Sequence, residues 1–113
     1  MRVPGNHRAQ VVGVGNRLDA GTVAGVRPRL HEAVDSGHGD LVVDLSELEM
    51  IDATGLGVLV GTHRRAMGAE RRLVLRGVPP RIMRVLAVTR LNRVLTVELT
   101  AAEVAEAAEA AVA

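Results

Sequence analysis

Carboxylates are concentrated in one short part of the chain, and a threonine follows them. Four acidic residues fall between positions 44 and 52, namely Asp44, Glu47, Glu49 and Asp52, and Thr54 comes two residues later. Paired carboxylates can carry out general acid–base catalysis, but no nucleophile or base that would complete such a site is evident. We favour the other interpretation, a solvated acidic rim around a protein-docking loop, and predict that the protein is not an enzyme.

A helix is predicted to begin near Thr54. The residues that recur there at helical spacing are Leu56, Leu59, Val60, His63 and Met67. Leu56, Leu59 and Val60 are expected to be buried. Asp52 and Thr54 can both cap this helix, and the unpaired N–H groups of a first helical turn carry partial positive charge. A hydroxyl group or a phosphate is therefore well placed at this position.

Strands and helices alternate along the rest of the chain. Strands are predicted at 10–14, 41–44, 71–76 and 94–97, and the run at 41–44 reads as a central buried strand. A further helix follows Asp19, which can cap it, and Pro28 requires that helix to begin late, near Gly25, or to kink. Pro79 and Pro80 open a third helix, and Thr100 caps an alanine-rich one. Residues 1–9 read as a tail or a weak edge strand.

This order predicts a single α/β domain over residues 10–113. We expect a mostly parallel or mixed sheet of four to five strands, covered mainly on one face by about four helices. A chain of 113 residues suits one domain. It has no Phe, Tyr or Trp, so Leu, Val, Ala, Met and two Ile must form the core.

Several classes of site are not supported by the composition. The chain has no cysteine, which excludes disulfide and thiolate chemistry. The motif at 55–57 lacks the third glycine of a dinucleotide-binding loop, and the four histidines lack ligand spacing, so no cofactor or metal is predicted. We read His63 as a half-buried structural residue. Since no apolar run approaches 18 residues and no signal peptide is evident, we expect a cytoplasmic protein without a membrane segment.

Arginine is concentrated in one third of the sequence. Residues 63–93 contain nine arginines and one acid, Glu70. A solvated surface is the simplest interpretation, and docking of an acidic partner face is an alternative. Nucleic-acid binding is a third, but it would call for stacking aromatic residues and for arginines on one face. The arginines fall on three predicted elements, and the protein is not expected to bind nucleic acid directly.

Three stretches resemble the STAS family, in particular the anti-sigma-factor antagonists of bacteria. Asp-Leu-Ser at 44–46 and Asp-Ala-Thr-Gly-Leu-Gly at 52–57 are similar to the strand end and the acidic turn of that family. Gly-Asn-Arg-Leu-Asp at 15–19, with Thr22, is similar to its Gly-Glu-Leu-Asp followed by Thr. Residues 88–94 resemble the stretch before its last strand. The resemblance covers about residues 10 to 112.

The resemblance implies a protein-binding switch. Such antagonists bind an anti-sigma factor with GHKL-type serine/threonine kinase activity and so release a sigma factor. The kinase phosphorylates the hydroxyl residue directly after the loop aspartate, and a PP2C-type phosphatase restores binding. Here that position is Ala53. Thr54 is therefore the candidate phosphoacceptor, unless it only caps the helix and the protein binds constitutively.

The same resemblance suggests a partner-binding surface, with Asp19 beside the loop. Small residues there let another protein approach the backbone closely, and Gly61 extends the same ridge from Gly57. The expected surface consists of Asp19, Thr22, Asp52, Ala53, Thr54, Gly55 and Gly57. Two other functions remain open. One is a STAS scaffold subunit of a larger lipid-transport or stress-sensing assembly, and the other is a small enzyme.

Overall fold

The domain is built on a four-stranded parallel sheet. This computed structural model describes residues 10–99, 105–106 and 108–110. Its strands are β1 (Gln10–Gly13), β2 (Arg17–Leu18), β3 (Leu41–Asp44), β4 (Met50–Ile51), β5 (Leu73–Arg76) and β6 (Thr96–Val97). Its helices are α1 (Val23–Ser36), α2 (Ala53–Gly68) and α3 (Pro80–Val88), with a 3-10 turn at Leu91–Arg93. Residues 105–106 and 108–110 are also helical.

The strands pair in parallel throughout. The main sheet has the order β1-β3-β5-β6, and β2 pairs with β4 in a separate small sheet. Parallel neighbours need crossover connections, and α1, α2 and α3 supply them. The predicted α/β class is therefore confirmed, with β3 as a central strand. The two-residue strands β2 and β4 are additions that the sequence analysis did not anticipate.

The core lies between the main sheet and the helices. Leu41 and Val43 of β3 and Leu75 of β5 are completely buried, and side chains two residues apart on a strand share a face. Leu30 of α1 and Leu59 of α2 join them in one apolar cluster, together with Ile82 and Leu86 of α3. Aliphatic side chains alone thus close the core within the described residues.

Helix α1 differs from its prediction in where it begins. It starts at Val23, with Thr22 at the N-cap position, so the late start near Gly25 is wrong. Pro28 lies inside the helix and cannot donate to the carbonyl of Ala24, four residues earlier. Both residues are exposed, so water can bond that carbonyl. The prediction that Asp19 caps α1 is also wrong, because its side chain bonds the N–H of Gly21 instead.

Strand β5 begins two residues later than predicted because Arg71 turns inward. Its guanidinium is buried against the C-terminal end of α1, although arginine is rarely buried. It donates to the carbonyl oxygens of Ala33, Val34, His38 and Gly39 and to Gln10 Oε1. Helix ends leave carbonyls unpaired and carry partial negative charge. These carbonyls therefore solvate the guanidinium.

The remaining boundaries are close to expectation. Helix α2 runs from Ala53 to Gly68; Leu59 is buried in it, whereas Leu56 and Val60 are only half-buried. Helix α3 begins at Pro80 as predicted. Strand β6 is shorter than predicted because Val94 and Leu95 donate back to the carbonyl of Leu91 in the 3-10 turn, so the strand begins only at Thr96. The predictions for residues 1–9 and for the cap at Thr100 concern residues outside those that the structure describes.

Candidate protein-docking site

Asp52 joins the two loops in which the sequence analysis placed the binding surface. Its Oδ1 accepts from the N–H of Gly55 at 2.9 Å, which makes it the N-cap of α2. Its Oδ2 accepts from the N–H of Ala20 at 3.1 Å, in the loop between β2 and α1. The backbone of Asp52 also donates to the carbonyl of Leu18 at 3.4 Å. One aspartate therefore holds the loop before α1 against the start of α2.

Thr54 does not cap α2, because Asp52 does so. Because Asp52 satisfies the N–H of Gly55, the interpretation of Thr54 as the cap of α2 is wrong. Thr54 occupies the second position of the helix and is exposed. Its hydroxyl makes no hydrogen bond with any described residue. Ala53 and Gly57 are also exposed, so these three residues form the outward part of the predicted surface.

Gly55 is required by the packing of the fold itself. It is buried. A Cβ atom at this position would overlap the carbonyl oxygen of Leu18 and lie 2.8 Å from its carbonyl carbon. The space that the missing side chain leaves is filled by the backbone of β2. A Cβ at Gly57, by contrast, would meet nothing within 4 Å.

Asp19 is buried and Thr22 is half-buried, and both side chains are engaged in hydrogen bonds within the loop before α1. Asp19 is only 6% exposed. Its Oδ1 accepts from Gly21, and its Oδ2 accepts from Arg17 Nε at 2.9 Å and Nη2 at 2.8 Å. The hydrogen bond from Arg17 is the main cause that lowers the pKa of Asp19, and the N–H of Gly21 adds to it. The Thr22 hydroxyl accepts from the Asp19 N–H and donates to the Arg17 carbonyl.

The acidic cluster is a set of separate carboxylates. Asp44 accepts the backbone N–H of Ser46 at 2.8 Å, and this bond is the first cause that lowers the pKa of Asp44. Glu47 and Glu49 are exposed, and the Glu49 carbonyl accepts from Arg81. In the described part of the chain, no three His, Cys, Asp or Glu residues gather as metal ligands would. The cluster has the form of a solvated rim.

The nine arginines of residues 63–93 do not share one environment. Arg71 is buried, whereas Arg65, Arg72 and Arg76 pair with Asp35, Asp40 and Glu98 at the surface. The others, exposed on α2, α3 and the segment after it, are Arg64, Arg81, Arg84, Arg90 and Arg93. His63 is half-buried, as predicted, and its Nδ1 atom is buried without a partner among the described residues.

Two exposed residues beside the loop were missed by the sequence analysis. Arg17 of β2 and Met50 of β4 are direct partners in the parallel pairing of the small sheet. The Arg17 side chain is 56% exposed and Met50 is 40% exposed. Neither β2 nor β4 is long enough to show a strand period, so the sequence carries no periodic signal for either residue.

Comparison with known proteins places this arrangement in a family. The sequence profile described as "Mlab, STAS domain" matches residues 1–101. The chain belongs to the STAS family. This STAS domain is also 34% identical over 86 residues to the anti-sigma-B factor antagonist of Staphylococcus aureus (strain NCTC 8325 / PS 47), covering 76% of this chain and 80% of that protein.

Solved structures share the fold. An anti-sigma-factor antagonist (STAS) domain protein from Planctomyces limnophilus superposes with a TM-score of 0.75 at 22% identity, covering 94% of this chain and 95% of the other. The Bacillus cell fate determinant SpoIIAA in its phosphorylated form gives 0.61 at 19% identity, with 89% and 91% covered. In the part of the chain that the structure describes, no helix is long and apolar enough to cross a membrane.

Proposed function

We infer that this STAS domain is an anti-sigma factor antagonist that binds an anti-sigma factor of the GHKL kinase class. The identity of 34% to an anti-sigma-B factor antagonist supports an anti-sigma factor as the partner; that this factor is a GHKL-type kinase is part of the proposal. The observation that carries the proposal is the exposed start of α2, where Ala53, Thr54 and Gly57 stand outward while Asp52 caps the helix. A regulator of sigma factors would act in the cytoplasm, by binding and not by catalysis.

Thr54 is the residue through which a kinase would regulate this surface. It is exposed, and its hydroxyl has no hydrogen-bond partner among the described residues, so a kinase could reach it without breaking the cap of α2. A phosphate adds roughly −1.5 to −2 charges at pH 7. Asp52 lies two residues away, so the added charge would oppose a packed interface by repulsion and desolvation. A PP2C-type phosphatase would reverse the change.

The test uses the purified protein and its cognate GHKL-type kinase. Calorimetry should detect binding of the unmodified chain, and incubation with ATP should add one phosphate that mass spectrometry maps to Thr54. Thr54→Glu should weaken binding, and Thr54→Val should prevent labelling while leaving binding largely intact. Ser46→Ala, which removes another exposed hydroxyl, is the matched control and should change neither. Labelling of Ser46, or no binding at all, would contradict the proposal.

A second candidate function is a STAS scaffold subunit of a larger assembly, such as one for lipid transport or stress sensing. The absence of a hydroxyl at Ala53 favours it, since this is where the family resemblance expects the phosphoacceptor. The "Mlab, STAS domain" profile is compatible with it. Affinity purification under native conditions would separate the two: transporter subunits without a kinase would support the scaffold, and a GHKL-type kinase would support the antagonist.

A further inference from the structure

The loop between β2 and α1 presents an arginine to its surroundings and hides its carboxylate. Asp19 is 6% exposed, and both of its oxygens are occupied by donors from Arg17 and Gly21. The Arg17 side chain is 56% exposed, and its Nε and Nη2 atoms both bond the same Asp19 oxygen. Its Nη1 donors remain available toward solvent, since no described residue accepts from them. Asp19 is therefore a positioning residue, and Arg17 is the group that a partner would meet.

An apolar side chain stands directly beside this arginine. Arg17 and Met50 are register partners on adjacent parallel strands, so their side chains project from the same face of the small sheet. The next pair, Leu18 and Ile51, points the other way: Leu18 is fully buried and Ile51 packs against the core. Asp52 follows Ile51 immediately. The pair of Arg17 and Met50, termed the β2–β4 strip, thus adjoins the start of α2.

We propose that the β2–β4 strip is a specificity-determining part of the docking surface, which selects a partner carrying a carboxylate next to an apolar side chain. This inference rests on the proposed function and adds a contact outside the Asp52–Thr54 loop. Arginine forms strong charge-assisted hydrogen bonds with carboxylates, and methionine adapts to apolar surfaces of varied shape. Because Asp19 already fixes the guanidinium, Arg17 loses little rotational freedom when it binds.

The test measures the affinity of the cognate anti-sigma factor for variants of the β2–β4 strip. Arg17→Gln should weaken binding roughly tenfold, as expected for loss of a charge-assisted contact, and Arg17→Lys should recover part of it. The dependence of affinity on salt should also become shallower in Arg17→Gln. Met50→Glu, which places a carboxylate beside Arg17, should weaken binding by roughly tenfold or more, because that carboxylate competes for Arg17 and repels the partner carboxylate.

Arg93→Gln is the matched control for the loss of one exposed arginine. Arg93 comes before the N-terminal end of β6, whereas the loops at Asp19 and Asp52 follow the C-terminal ends of β2 and β4. This variant should therefore bind like the wild-type protein. The inference is overturned if Arg17→Gln and Met50→Glu, both folded by circular dichroism, bind like Arg93→Gln while Thr54→Glu still weakens binding. In that case the proposed function stands. Failure of the wild-type protein to bind would overturn both.

Discussion

The backbone of Leu18 occupies the space in which a side chain at Gly55 would lie. A Cβ atom at Gly55 would overlap the Leu18 carbonyl oxygen, so β2 and the first turn of α2 can approach this closely only because residue 55 is glycine. The contact also sets the position of the neighbouring Thr54. Gly55, which the family resemblance assigned to the partner-binding surface, is thus required for packing in the folded chain.

Gly55→Ala should therefore destabilise the protein. The clash is with backbone atoms, which cannot move as a flexible side chain can, so we expect a loss of about 1–3 kcal/mol or more in the free energy of unfolding. Urea denaturation followed by circular dichroism measures it. Gly57→Ala is the control: its Cβ would meet nothing within 4 Å, and alanine should stabilise the helix by about 0.5–1 kcal/mol. Equal changes in the unfolding free energy of the two variants would contradict the close contact between Gly55 and the backbone of Leu18.

Arg71→Met should be among the most destabilising changes at a charged position. It removes a buried guanidinium that donates to four backbone carbonyls and to the Gln10 side chain. Carbonyls left buried without a donor should cost about 2–4 kcal/mol in unfolding free energy. Arg72→Met is the neighbouring control, because the Arg72 side chain is 64% exposed and makes a surface ion pair with Asp40. Arg72→Met should lower the free energy of unfolding by less than about 1 kcal/mol.

Acid should weaken the protein partly through Asp19. The pKa of Asp19 is lowered in the folded state, first by the hydrogen bond from Arg17. The folded state therefore favours the charged form, so this stabilisation is complete at neutral pH. It is lost as the pH falls below the ordinary carboxyl value of 3.8 and through the folded-state pKa.

Asp19→Asn provides the measurement for this effect. It should be less stable than the wild-type protein at pH 7, and the difference in unfolding free energy should shrink as the pH is lowered from 5 to 3. Asp35→Asn is the comparison, since Asp35 pairs with Arg65 at the exposed surface and its contribution should fade in high salt. A wild-type-to-Asp19→Asn difference that is constant down to pH 3 would argue against the Arg17 contact.

Leu59→Ala tests the helix-to-sheet core. Leu59 is fully buried in α2, and a large-to-small change at such a position costs about 2–5 kcal/mol. Val88→Ala on α3 is the contrasting change, because Val88 is 78% exposed and should alter the unfolding free energy by no more than about 0.5 kcal/mol. Chemical denaturation that gave Leu59→Ala a cost below about 1 kcal/mol would contradict its place in the core.

The sequence predicted the regular elements better than the contacts between them. Strand β3 and helix α2 were found because an uninterrupted apolar run and a helical period are local signals. The burial of Arg71 could not be predicted, since its carbonyl partners come from α1 and the residues after it, 32 to 38 positions away, and its other partner is Gln10 of β1. The inward orientation of Asp19 also depends partly on a tertiary contact. Asp19 binds Arg17 within a loop whose position is fixed by the distant Asp52, which accepts a hydrogen bond from Ala20.

The bond from Ala20 to Asp52 has a further consequence for how the surface fluctuates. The N–H groups of Ala20 and Gly55 end on the two oxygens of one carboxylate, so the loop before α1 and the first turn of α2 are coupled at that point. Their amide hydrogens should exchange with solvent as one cooperative unit. The proposed docking surface is accordingly preorganised, and a partner that bound it would have little conformational entropy to remove.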